Sequence, residues 1–256
     1  MSASPISAGD GTATRHAPWV RIAHWIVSAS FLTLAVTGFV ILMCHPRLYW
    51  GEVGNDLTPA LLELPISRNH RHGAWTAPAP FFESPGSPAS ASRTGDIFNQ
   101  NSWGRSLHFL AAWFLVLPGA AYLLAGTVSG HFRRHLLPRA GEFTAGRIGQ
   151  EFKEHLRFAI RAATGGPQYG LLQKCAYCGV VFGALPLAVV TGLAMSPALT
   201  AAFPFLSGMF GGFQSARTIH FAASVTLVLF LFVHVVMVIA SGFRRQMRAM
   251  TFGAPR

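Results

Sequence analysis

The chain has 256 residues, of which 51% are hydrophobic and 11% charged, whereas soluble domains carry roughly one quarter charged residues. That balance excludes an ordinary water-soluble globule and makes a membrane the main solvent. The formal net charge of +11 raises nucleic-acid binding, but the basic residues sort by membrane side, and no nucleic-acid partner is expected.

In chain order, the polar residues Met1 to His16 precede an apolar run too long for a signal-peptide core, with no small-residue cleavage site after it, so the first helix is expected to stay in the mature protein. That helix is predicted over 22–44, and Ile22 to Met43 contains no Asp, Glu, Lys or Arg. The segment 45–104 follows, rich in Pro, Gly, Ser and Asn, with five of the nine acidic residues (Glu52, Asp56, Glu63, Glu83, Asp96) and a linker-like stretch from Ser84 to Ser92. Its aromatic residues Tyr49, Trp50, Trp75, Phe81 and Phe82 suit an outer cap that either docks a partner or packs on itself.

The second helix is predicted over 106–128. The inner connection 129–171 is basic and contains an amphipathic helix around Glu142 to Ala163, with Phe143, Ile148, Phe152, Leu156 and Ile160 toward the bilayer. Contact with anionic lipid accounts for this pattern. Helices three and four are predicted over 172–195 and 218–242. A hydrocarbon core about 30 Å thick takes roughly 20 apolar residues to cross, and all four segments meet that length. The fold class is all-α: a single-domain integral membrane four-helix bundle with a long outer loop between helices one and two. Both termini in the cytoplasm put fourteen basic residues inside against six outside, the positive-inside asymmetry. No internal repeat, Walker-type loop or GxGxxG is visible. Cys175 and Cys178 form a CxxC at the cytoplasmic start of helix three; no metal-binding partners stand near them in sequence, and they read as small polarizable helix residues.

Of eleven histidines, His24, His108, His220 and His234 lie in or at the mouths of the predicted spans. A polar side chain there is costly and usually faces the bundle interior. His220 and His234 are 14 residues apart, about 21 Å along the axis and nearly four whole turns, so they share one face near opposite membrane surfaces. Topology pairs His24 with His234 at the cytoplasmic level and His108 with His220 at the outer level. Two bis-imidazole haem irons are the expected occupants, low-spin and suited to electron transfer because no position is left for substrate.

Arginine precedes three of these histidines by three residues: Arg21 before His24, Arg105 before His108 and Arg217 before His220. One turn away on the same side, a guanidinium suits a haem propionate. Gly38 follows His24 by 14 residues, and its bare backbone leaves room for a ring at the outer level. The other histidines, His16, His45, His70, His72, His131, His135 and His155, fall in loops or at helix ends, where His70 and His72 suit an adventitious metal.

The stretches VRIAHWIVSASFLTLAVTGFVI (20–41), HPRLYWGE (45–52), GRSLHFLAAWFLV (104–116), SGHFRRHLLP (129–138), 171–199 and RTIHFAASVTLVLFLFVHVVMVI (217–239) resemble the membrane cytochrome b family that groups bacterial cytochrome b561, nickel hydrogenase cytochrome b and the formate dehydrogenase gamma subunit. The likeness is nearest to thiosulfate reductase cytochrome b subunits, and it covers most of the chain except the N-terminal tail and residues 53–103. It implies a bacterial inner-membrane subunit with two haem b that passes electrons between the quinone pool and a periplasmic oxidoreductase, often a molybdopterin enzyme. Two other readings are a self-sufficient quinone-linked oxidoreductase, active as a single chain, and a histidine proton relay or transporter, which would be colourless.

Overall fold

A computed structural model describes residues 18–55, 58–67, 101–156 and 170–253. Trp75, Phe81, Phe82, His70, His72, the stretch from Ser84 to Ser92 and Ile160 lie outside the described residues. Among the described residues four helices are long and apolar enough to cross a membrane: Pro18–Cys44, Ser102–Val128, Leu171–Ala194 and Phe213–Ala240. Helix α1 (Pro18–Cys44) begins at a proline and stops before His45–Pro46, because the residue before proline avoids helical backbone angles. Helix α2 (Asn101–Val128) carries Pro118 in its interior, and α3 (Ala145–Leu156) is amphipathic.

The third span is composite. Helix α4 (Leu171–Cys178) widens into π geometry over Gly179–Ala184 before α5 (Leu185–Ala194). Pro186 in the first turn of α5 supplies the cause, since it lacks an N–H and its ring crowds the carbonyl one turn back. After the short helices α6 (Pro197–Ala202) and α7 (Phe205–Gly208), the chain enters α8 (Phe213–Ala240), then turns at Gly242, φ +102°, into α9 (Phe243–Thr251).

The spans pack as two hairpins, α1 along α2 and α5 along α8. Buried residues on these helices include Ser30, Thr37 and Val40 on α1, Ala111 on α2, Thr191 and Ala194 on α5, and Ala216 and Ala223 on α8. Small side chains of this kind let membrane helices approach closely.

Of the two expectations for the outer segment, its described part, 45–55 and 58–67, packs on the protein. Strands β1 (Arg47–Leu48) and β2 (Leu62–Glu63) pair antiparallel, Arg47 opposite Glu63. The N–H groups of Gln214 and Ser215 donate to the Gly51 carbonyl at 3.0 and 3.1 Å. The Phe213 N–H donates to Glu52 Oε2 at 3.0 Å, and the Thr218 hydroxyl to the Tyr49 carbonyl at 2.6 Å. The first turn of α8, whose N–H groups lack helical partners, is thus capped by the outer segment. Gly212 permits this contact: its φ is +118°, and a Cβ there would stand 2.5 Å from the Gly51 carbonyl.

Candidate cofactor site between the hairpins

His24 on α1 meets His234 on α8 with ring centroids 6.5 Å apart and planes inclined 50°. His108 on α2 meets His220 on α8 at 6.3 Å and 65°. Both pairs bridge the two hairpins, one near each end of the spans, and all four histidines are half-buried. The distance excludes a direct hydrogen bond between the rings and is compatible with ordinary ring packing as well as with a shared metal. Directly hydrogen-bonded rings, with nitrogens about 3 Å apart, would bring the centroids to about 5 Å. Two imidazoles on opposite sides of one metal, each bond about 2 Å long, hold them roughly 6 Å apart. Both pairs have the wider spacing, so the residues present fit an iron between each. Among the described residues no cluster of three or more metal-ligating side chains forms.

The hairpins support His108 and His220 in the same way. Thr37 Oγ1 lies 2.9 Å from His108 Nδ1. Thr191 Oγ1 lies 3.0 Å from His220 Nδ1, and the Ala188 carbonyl 2.9 Å. The Ala188 carbonyl belongs to the residue three before Thr191. A glycine follows each threonine: a Cβ on Gly38 would stand 3.5 Å from His108 Cε1, and one on Gly192 3.5 Å from His220 Cε1. Val36-Thr37-Gly38 with Arg105-x-x-His108-Phe109 therefore matches Val190-Thr191-Gly192 with Arg217-x-x-His220-Phe221. The repeat is short and its parts are unequally spaced, 71 residues separating Thr37 from His108 and 29 separating Thr191 from His220. The V-T-G and R-x-x-H parts can be read in the sequence, but that they belong together shows only when packing brings them into contact.

The expected site residues fall as follows. Gly38 stands at the level of His108, and the ring against it is that imidazole. Arg217 donates to the Arg47 carbonyl at 3.0 Å and to the His45 carbonyl, tying the outer segment to the turn before His220. Arg21 donates to the Thr251 carbonyl at 3.1 Å, and Trp25 Nε1 to the Met250 carbonyl at 3.2 Å; both fasten the end of α9 to α1 beside His24. Arg105 is exposed at the start of α2. Arg245 donates to the Ser241 carbonyl at 2.9 Å. Thr37, Thr191 and Gly192 were not singled out from the sequence, although the duplicated V-T-G was the signal available. Around the other pair the surroundings are aromatic: Phe230 stacks on His234 at 6.0 Å and 20°, and Trp25 stands edge-on to His24 at 5.3 Å.

Beyond the His24–His234 end, Glu151 on α3 accepts the N–H groups of Leu171 and Leu172 at 2.9 and 3.0 Å, a carboxylate on a helix N-terminus. Burial alone would raise its pKa, but these donors and Arg147, at 3.3 Å, outweigh it and hold the carboxyl below its ordinary range. Lys174 bonds both oxygens of Glu142 at 2.9 and 3.0 Å and lowers its pKa likewise. Within the described residues the expected amphipathic helix runs over Ala145–Leu156, with Ile148 and Phe152 exposed and Phe143 exposed just before it. Cys175 and Cys178 are free thiols, and Cys178 Sγ contacts the Leu136 carbonyl at 3.6 Å.

The family model described as prokaryotic cytochrome b561 matches residues 15–253. One relative, the putative protein-methionine-sulfoxide reductase subunit YedZ1 of Azospira oryzae, is 26% identical over 223 residues, covering 87% of this chain and 89% of the relative. No solved structure matches the chain.

Proposed function

The chain belongs to the prokaryotic cytochrome b561 family, a membrane cytochrome b electron-transfer family, and from that premise we propose that it is a dihaem subunit carrying electrons between quinone and a periplasmic oxidoreductase. His24 and His234 hold an inner haem b, and His108 and His220 an outer one. The observation that carries this reading is the pair of facing imidazoles at each end of the hairpin interface, with centroids 6.5 and 6.3 Å apart.

Haem b supplies one-electron chemistry when bound. His24 with His234 and His108 with His220 would hold the two groups, and an imidazole on either side of each would leave no place for substrate and confine each centre to electron transfer. Levels about 21 Å apart along α8 divide a hydrocarbon core of about 30 Å between two relay points. Substrate turnover belongs to the partner. The reductase-subunit name of the Azospira relative supports a partner oxidoreductase, and a molybdopterin enzyme is the proposed kind. Trp50, Val53, Leu61 and Leu62 are exposed on the outer segment and offer an apolar docking surface there.

The proposed location is the bacterial inner membrane with both termini in the cytoplasm. Arg244, Arg245 and Arg248 on α9 and the apolar face of α3 then lie at the cytoplasmic lipid surface. The test is an optical spectrum of the purified protein, oxidised and dithionite-reduced, with haem quantified per chain. About two low-spin b haems support the reading. A folded, colourless protein overturns it and favours a histidine proton relay.

A further inference from the structure

We propose that Thr37 and Thr191 are positioning residues that fix which nitrogen His108 and His220 turn toward each other and that tune the reduction potential of the outer haem. The inference rests on the outer-haem reading above. Each hydroxyl has one proton, and it is already committed: Thr37 Oγ1 donates to the Thr33 carbonyl at 2.7 Å, and Thr191 Oγ1 to the Leu187 carbonyl at 2.6 Å. Toward the imidazoles, at 2.9 and 3.0 Å, the oxygens therefore act as acceptors. Both rings then carry their proton on Nδ1, which leaves the Nε2 lone pair for iron. Thr37 is 1% exposed and Thr191 0%, so water does not replace either acceptor.

Back-bonding to the preceding turn is common for threonine in membrane helices and by itself requires no histidine. Thr33 shows that ordinary case, donating to the Ala29 carbonyl at 2.9 Å. At Thr37 and Thr191 the same back-bond accompanies an imidazole and a following glycine, in both hairpins, and at His220 the Ala188 carbonyl is a further acceptor on Nδ1 at 2.9 Å. Acceptors on Nδ1–H push electron density into the ring, make it a stronger donor to ferric iron, and lower the potential.

The experiment compares Thr37→Val, Thr191→Val, their double variant, the corresponding serine variants and the control Thr33→Val in the full-length chain. The readouts are haem per chain, potentiometric titration of both haems and the low-spin electron paramagnetic resonance signals. Each valine variant is expected to raise the outer-haem potential by about threefold to tenfold in the reduction equilibrium, tenfold corresponding to about 59 mV for one electron. The outer-haem resonance should shift, serine should restore both properties, and the inner haem and Thr33→Val should not move. Unchanged potential and resonance in valine variants that retain both haems overturn the inference while leaving the dihaem reading intact. If the double variant loses the outer haem, recovery with serine supports positioning and failure to recover overturns it. A wild-type protein without haem at His108 and His220 instead overturns the underlying reading.

Discussion

Gly192 lies beneath the imidazole of His220, where a Cβ would stand 3.5 Å from Cε1. That is ordinary van der Waals separation for one methyl group, with no space for a second carbon on the same side. Gly192→Ala should keep both haems. Gly192→Val should displace the ring and reduce haem content from about two to about one per chain, since overpacking forces side chains off their positions. Pyridine haemochrome quantification checks both, and equal haem content in alanine and valine variants would contradict the contact.

The ligand assignment predicts selective loss. His220→Ala should remove the outer haem and leave the inner potential measurable, whereas His24→Ala should do the reverse, because the pairs stand at opposite ends of α8. Redox titration should show one wave in each variant. A variant that keeps two unaltered waves excludes its histidine as a ligand.

Arg217 holds two outer-segment carbonyls, and hydrogen bonds from a charged donor contribute roughly 1.5 to 3 kcal/mol each. Arg217→Met should weaken the cap by a few kcal/mol and open residues 45–67 to protease in detergent. Arg217→Lys should give partial protection, because one ammonium lacks the planar fork that spans two acceptors. Cleavage at the wild-type rate in Arg217→Met would remove this role.

Glu142 and Glu151 are both held below the ordinary carboxylate range, so the stabilisation each contributes is present above their unfolded pKa near 4.3 and is lost as pH falls through the lowered folded values. Glu151→Gln should melt at lower temperature than wild type at pH 7, with the gap narrowing in acid. Thermal unfolding followed by the Soret band between pH 7 and pH 3.5 measures this. A gap that is constant with pH would assign Glu151 no electrostatic role.

Much of this protein was determined locally. Uninterrupted apolar length fixes the four spans, because a helix in lipid must satisfy its backbone internally. The near-integral number of turns between His220 and His234 places them on one face of α8, and antiparallel order alone brings His24 to the level of His234 and His108 to that of His220. The spans began up to five residues earlier than expected, at Pro18 and Phe213 for example, because helices continue past the apolar run wherever polar end groups find partners. Tertiary structure decided what each arginine touches: a guanidinium one turn from a histidine can reach lipid, cofactor or backbone, and nothing in R-x-x-H selects the carbonyls of His45, Arg47 or Thr251. It also decided that Thr37-Gly38 and Thr191-Gly192 are two copies of one histidine support. Each copy spans two helices joined by a connection of different length, so its parts become neighbours only when the hairpins close.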